Sequence, residues 1–186
     1  MEYLDLVDEA GNPTGEVVER TTAHAQGLRH RTCHVWLLRR RAGRVQVLLQ
    51  KRSQGKDSNP GCYDISSAGH IPAGEDWVPS ALRELKEELG LTAQPEELIL
   101  CGVRRFHSEQ EFYGAPFRDN QVSRVYVLLR DVEPEEMTLQ PTEVESVLWM
   151  DYETCLAEVA AGRPEYCIFP EEMVMLRQGF PPEWRS

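Results

Sequence analysis

The sequence predicts an α+β fold in which a mixed β-sheet is sandwiched between helices. Short segments with the apolar patterns of strands recur along the chain, separated by turns that contain Gly or Pro. Two or three helical segments interrupt them without strict alternation of strand and helix, which favours α+β. With 186 residues the chain is most simply one domain, and residues from about 151 onward are expected to form a C-terminal helical extension.

The first third of the chain predicts strands separated by turns, a polar segment and a loop. A Gly-Asn-Pro-Thr-Gly turn at 11–15 separates two short strands. A polar segment at 21–31 carries His24 and His30, and a loop at 53–61 carries Lys56. The predicted strands are residues 3–7, 16–20, 33–39 and 44–51, and an extended segment follows at 63–67.

A helix of about 13 residues is predicted after Asp76, which is a good N-cap, and it should end at Gly90. Its apolar stripe is made by Val78, Ala81, Leu82, Leu85 and Leu89. Glu84, Glu87 and Glu88 are spaced i, i+3 and i+4, so their side chains are neighbours beside this stripe. Three acidic groups this close repel one another unless a cation lies among them, and oxygen ligands favour Mg²⁺ or Mn²⁺.

The second half of the chain predicts three more strands, at 97–103, 121–129 and 145–150, and helices at 152–161 and 170–178. Residues 106–120 are polar and aromatic and are predicted to form a long loop, which usually indicates a function. Their aromatic side chains could stack on a base, cover a prenyl tail or simply pack the loop onto the domain. These side chains are Phe106, Phe112, Tyr113 and Phe117.

Charge and composition exclude several classes of function. A net charge of −11 argues against general binding of nucleic acids or anionic membranes, because both need a basic surface. No apolar run is long enough to span a membrane, and the acidic N-terminus lacks the apolar region of a signal peptide. Five cysteines without a C-x-x-C pair are typical of reduced thiols in a cytosol. We therefore expect a cytoplasmic protein whose partner is a small molecule.

Residues 69–91 resemble the Nudix box, G-x5-E-x7-R-E-U-x-E-E-x-G-U, where U is a bulky aliphatic residue. All nine defined positions are filled, by Gly69, Glu75, Arg83, Glu84, Leu85, Glu87, Glu88, Gly90 and Leu91. A solvated acidic helix face is the alternative interpretation, but it explains neither Gly69 nor Arg83 nor the fixed spacing. The resemblance implies the α/β/α sandwich of the Nudix superfamily and hydrolysis of a diphosphate-containing small molecule with Mg²⁺ or Mn²⁺.

The resemblance also implies roles for individual residues. Glu87 and Glu88 would be metal ligands together with the carbonyl of Gly69, and Glu84 would be either a ligand or the base that orients water. Arg83 would pair with a glutamate of the box and fix its rotamer. The last base or ligand often lies outside the box in this superfamily, and the candidates are Glu109, Glu111 and Glu143. Dimers are common in the superfamily, so a homodimer is an open alternative to a monomer.

Outside the box, most of residues 1–150 resemble the isopentenyl-diphosphate-isomerase-like branch of the superfamily. The resemblance lies in TTAHAQGLRHRTCHVWLL, LLQKRSQGKDSNPGCYDISSAGH and FRDNQVSRVYVLL. His24, His30 and His70 match three metal ligands of that isomerase, which implies a second metal site. Arg52 and Lys56 match the cations that hold its substrate diphosphate.

Two departures from the isomerase favour hydrolysis. The isomerase has a cysteine where this chain has Ala68, and an acid–base glutamate where this chain has Gln121; Asp119 replaces a ligand two positions earlier. Without the thiol and the carboxylate, proton transfer at two carbon atoms loses its agents. A hydrolase of a nucleoside or isoprenoid diphosphate is therefore the leading hypothesis. The alternatives are the isomerase itself and a nucleotide-sensing Nudix module without catalysis.

Overall fold

The computed structural model describes residues 1–185 and contains a seven-stranded mixed sheet beside a separate two-stranded hairpin. The strands are β1 (Tyr3–Val7), β2 (Pro13–Glu19), β3 (His30–Arg41), β4 (Arg44–Arg52), β5 (Tyr63–Asp64), β6 (Ser67–His70), β7 (Leu98–Phe112), β8 (Ala115–Leu129) and β9 (Val144–Asp151). The helices are α1 (Arg20–Gln26), α2 (Trp77–Leu89), α3 (Tyr152–Ala160) and α4 (Pro170–Met175). Within this range no helix is long and apolar enough to cross a membrane.

Strand β3 is the centre of the large sheet. It runs antiparallel to β4 and β6 and parallel to β8, while β8 pairs with β7 in a long antiparallel hairpin. Because side chains alternate along β3, Val35 and Leu37 pack on the face covered by α2, and Trp36 packs on the face covered by α3 and α4. The predicted mixed sheet between helices is confirmed.

Helix α2 follows its sequence signals closely. It has 13 residues, its N-cap Asp76 accepts a hydrogen bond from the Trp77 amide, and Gly90 ends it in the left-handed conformation at φ 70°. Ala81, Leu85 and Leu89 are fully buried against the sheet, so the predicted apolar stripe anchors the helix that carries the box glutamates.

The prediction of a loop at 106–120 is wrong. These residues complete β7 and β8, and the chain reverses at Tyr113 and Gly114, both of which have positive φ. Polar residues occupy many alternate positions in this stretch, so its period of two was hidden from an apolar pattern. No secondary structure was predicted for the polar segment at 21–31, where most of α1 lies, and β3 begins at His30, three residues before the predicted start. The last predicted helix is shorter than expected, because α4 gives way to a 3-10 turn at Leu176–Gly179.

Candidate active site

A cavity of about 610 Å³ lies between α2, the β7–β8 hairpin, the loop after β4 and the start of α4. Side chains that the sequence analysis selected for chemistry line this single space, namely His24, Arg52, Lys56, His70, Arg83, Glu84, Glu87, Glu88 and Glu143. The other two candidates for an outside base do not line it: Glu109 and Glu111 are exposed on the opposite face of β7.

The box is built around a close approach between β6 and α2. A Cβ atom at Gly69 would lie only 2.2 Å from the carboxyl carbon of Glu84, so any side chain at this position would displace that carboxylate. The Gly69 carbonyl oxygen lies opposite β3 and is 3.6 Å from the sulfur of Cys33. Glycine is therefore required here because of space rather than because of backbone conformation.

Arg83 connects the box glutamates to the strand beneath them. Its Nη1 lies 2.8 Å from Oε1 of Glu84 and 3.2 Å from Oε2 of Glu87, and its Nη2 donates to the backbone oxygen of His70 at 3.5 Å. The guanidinium thus limits the rotamers of two carboxylates at once, because both are tied to one planar group.

Burial raises the pKa of two of the three box glutamates. Glu88 is 5% exposed and accepts hydrogen bonds from the Ala68 amide at 3.0 Å and from Nε2 of Gln50 at 3.3 Å. Burial raises the pKa of Glu88 to about 8, and it raises the pKa of Glu84 to about 7 against the opposing charge of Arg83. A cation among these carboxylates would favour their ionised form, so this donor set fits a hard divalent metal.

Three histidines meet beside the box, and two of them, His24 and His70, line the cavity. Their ligating nitrogen atoms all lie within 4.8 Å of one another: His24 from α1, His30 from β3 and His70 from β6. Asp119 of β8 joins them, with Oδ1 at 3.8 Å from both Nδ1 of His24 and Nε2 of His30. His30 is fully buried behind the other residues, and His24 stacks on Phe117 at a centroid distance of 4.3 Å.

The protonation of this cluster suits a metal. The Nδ1 atom of His30 donates to the Leu28 carbonyl at 2.9 Å, which leaves the Nε2 lone pair of His30 facing the cluster. Burial lowers the pKa of His24 and of His30 to about 4 and holds the pKa of His70 well below its usual value, so neutral rings predominate at pH 7. His24 Nδ1, His30 Nε2 and Asp119 Oδ1 are buried without a hydrogen-bond partner in residues 1–185. Unpartnered nitrogen and oxygen atoms this close fit a transition-metal ion.

The predicted diphosphate cations line the same cavity as the two clusters, but both have protein partners. Arg52 donates to the Ser58 carbonyl at 2.8 Å and to Asp64 at 3.0 Å, so it also holds the loop after β4. Lys56 pairs with Glu143. Sequence reasoning missed a third cation, Arg20, which lines the same cavity and pairs with Asp57 at 2.8 Å.

Sequence reasoning also missed a buried polar group at the end of the cavity. Glu172 of α4 is 1% exposed, and its Oε1 accepts hydrogen bonds from His34 and from Trp36, both at 2.8 Å. Its Oε2 lies 3.5 Å from Nη1 of Arg104. Burial alone would raise the pKa of Glu172, but His34, Trp36 and Arg104 together lower it, so the carboxylate is ionised. No sequence pattern marks Glu172, since its partners are distant from it along the chain.

The fold and the geometry of the box together define the family of this protein. A family model for the NUDIX domain matches residues 28–168, and the chain belongs to the Nudix hydrolase family. An uncharacterized Nudix hydrolase of Clostridium acetobutylicum is 38% identical over 143 residues, which are 77% of this chain and 66% of the relative. Nudix hydrolase 3 of Arabidopsis thaliana is 39% identical over 89% of this chain, which corresponds to 21% of the plant protein.

Solved structures agree on the fold. A Deinococcus radiodurans protein superposes with a TM-score of 0.65 and 22% identity, covering 95% of this chain and 98% of that one. The chain spans 66% and 21% of the lengths of the Clostridium and Arabidopsis relatives, respectively.

Proposed function

We propose that this protein is a metal-dependent hydrolase that cleaves a diphosphate linkage in a small molecule, with Mg²⁺ or Mn²⁺ held by the Gly69 carbonyl, Glu84, Glu87 and Glu88. The observation that carries this proposal is the desolvated pair Glu84 and Glu88, which faces a cavity large enough for a small organic diphosphate. A bound divalent ion supplies positive charge and Lewis acidity toward phosphoryl oxygens.

The side chains of the box divide the remaining work. Glu84 orients the attacking water or shares in metal binding, and Arg83 fixes its carboxylate through the 2.8 Å contact. Arg52 and Lys56, which line the same cavity, receive the diphosphate. Glu143, paired with Lys56, is the preferred candidate for the base or ligand outside the box, because it alone of the three candidates lines the cavity.

A second metal site is proposed at His24, His30 and His70, with Asp119 as a fourth donor. The support is geometric, since four donors from distant parts of the chain converge, and three of them, His24, His30 and Asp119, have a buried ligating atom without a partner in residues 1–185. This site is the strongest argument for the isopentenyl-diphosphate-isomerase-like branch. The acidic chain, with its five free cysteines, is proposed to act in the cytoplasm as a monomer or homodimer.

Two alternative functions predict different outcomes with a diphosphate substrate. Isomerisation needs a proton donor and an acceptor, but position 68 holds alanine and the Gln121 amide donates to Asp119 at 2.8 Å. A nucleotide-sensing module without catalysis would not need an intact set of box glutamates. Hydrolysis is therefore the function that the site supports best.

The deciding experiment follows product formation from nucleoside diphosphates, ADP-ribose and isopentenyl diphosphate with Mg²⁺, with Mn²⁺ and with excess chelator. We expect release of phosphate or a monophosphate only when metal is present, and no dimethylallyl isomer by NMR. Glu88→Gln should lower kcat by about 10²-fold or more, roughly 3 kcal/mol at the transition state.

The matched control is Glu96→Gln, which removes an exposed carboxylate outside the cavity and should leave kcat unchanged. Full turnover in chelator would refute the metal-dependent mechanism. Enzyme-dependent isomerisation would establish the first alternative, and binding without turnover would establish the second.

A further inference from the structure

One wall of the cavity is made by alternate residues of β7. Five side chains of even number on this strand line the cavity, namely Arg104, Phe106, Ser108, Gln110 and Phe112. The intervening residues face the other way, as Arg105 illustrates by donating to the Glu9 carbonyl at 2.6 Å. The strand therefore presents one row of side chains to a ligand and another row to the outside.

Arg104 is the only cation in this row. Its guanidinium carbon lies 4.5 Å from the ring centroid of Phe106 and 4.3 Å from that of Phe169, and the two ring centroids are 4.6 Å apart. Its side chain is 11% exposed, and burial lowers its pKa, although Glu172 opposes that shift. Two aromatic faces and one carboxylate thus hold the guanidinium in a fixed, largely desolvated position.

The N–H donors of the Arg104 side chain are not used within the described part of the protein. A guanidinium has five N–H donors, yet the side chain of Arg104 donates no hydrogen bond to any group in residues 1–185. Its contact with Glu172, at 3.5 Å, neutralises charge without the geometry of a hydrogen bond. A desolvated donor that faces a cavity strengthens the binding of a ligand with a hydrogen-bond acceptor. It weakens the binding of a ligand that covers the donor without accepting a hydrogen bond.

We propose that Arg104 is a specificity-determining residue that donates hydrogen bonds to an oxygen acceptor on the organic part of the substrate. The substrate is then a diphosphate of an oxygen-rich group, a sugar or a nucleoside, and not of an isoprenoid hydrocarbon. This inference rests on the proposed hydrolase function, because the box fixes the diphosphate end and leaves Arg104 for the other end.

An isoprenoid tail would make the opposite contact. Hydrocarbon packed against Phe106 and Phe169 would cover the remaining exposed part of Arg104 and offer no acceptor to replace the lost water. A buried donor without a partner opposes binding, and here the donor carries a charge. The aromatic rings alone could accept either group, so the guanidinium makes the distinction.

The test compares two groups of substrates in one protein. We measure kcat/KM with Mg²⁺ for ADP-ribose and UDP-glucose, and for isopentenyl and geranyl diphosphate, in the wild type and in Arg104→Met. Arg105→Met is the matched control, since it removes a neighbouring arginine from the opposite face of the same strand. Loss of a charged hydrogen bond predicts a fall of about 10- to 100-fold for the oxygen-rich substrates, mostly in KM, with Arg104→Met.

Each outcome separates this inference from the function on which it rests. If the wild type hydrolysed none of these diphosphates, the proposed function would be refuted. Hydrolysis with a preference for prenyl diphosphates, or an equal loss on both groups in Arg104→Met, would refute the role of Arg104 alone. If Arg104→Met does not fold, Arg104→Lys keeps a cation beside Glu172 while losing the planar fork, and it should still shift the ratio of the two kcat/KM values toward prenyl diphosphates by several-fold.

Discussion

The two clusters that share the cavity are built in different ways. The box cluster comes from one strand end and one helix, and its glutamates lie within a single pair of helical turns. The histidine cluster is assembled from α1, β3, β6 and β8. The first is specified by spacing along the chain, and the second exists only after distant segments have paired.

The register of β3 explains how the second cluster forms. His30 lies beside Gln121 of β8, and Thr32 lies opposite His70 of β6. One central strand therefore places both neighbours at once. A slip of one residue in either pairing would turn His70 or Asp119 to the other face of the sheet and dissolve the cluster.

The largest predicted effect comes from a substitution that disrupts the box cluster through a steric clash alone. Gly69→Ala places a methyl group where the Glu84 carboxylate lies, so kcat should fall by about 10²-fold or more while the fold persists. The comparison variant is Gly55→Ala, where a Cβ meets nothing closer than 4.0 Å. Equal steady-state rates for the two variants would show that Glu84 has no role at its observed position.

The next prediction breaks the histidine cluster without touching the box. His30→Asn removes a ligating nitrogen. Titration with Mn²⁺ or Zn²⁺ should show that the histidine site binds its ion on the order of 100-fold more weakly, so that one high-affinity ion per chain is lost. His107→Asn, an exposed histidine on the outer face of β7, should bind metal like the wild type. Unchanged stoichiometry in His30→Asn would mean that the cluster is a structural group of histidines.

The smallest effect sharpens the comparison between the clusters. Lys56→Met removes a cation that lies beside Glu143, so it should raise KM by about 10-fold and change kcat little, because a single charge contact contributes modestly to binding. Lys86→Met, on the exposed side of α2, serves as the control. A change confined to kcat would place Lys56 in the chemical step instead of in binding.

The same difference between local spacing and contacts of distant segments decides which features could be predicted from the sequence. Caps and apolar period fixed the bounds of α2 in advance, because both are local properties of the chain. The outer half of the β7–β8 hairpin was missed because it is polar on both faces: Ser108 faces the cavity, and Glu109 is exposed on the opposite face. Arg104 and Glu172 could not be paired from sequence, since their contact requires α4 to pack onto β7. The histidine trio was found only through a family resemblance.

The alternation along β7 has an evolutionary consequence. In its outer half, residues such as Ser108 and Gln110 face the cavity but belong to no apolar core, and their partners on β8 are residues of the same hairpin. Replacing them alters the surface that a ligand meets without disturbing Val125 or Val127 farther along β8, which are fully buried. The outer half of β7 can therefore change its ligand contacts at little loss of stability, while the facing residues of β8, Asp119 and Phe117, remain tied to the histidine cluster.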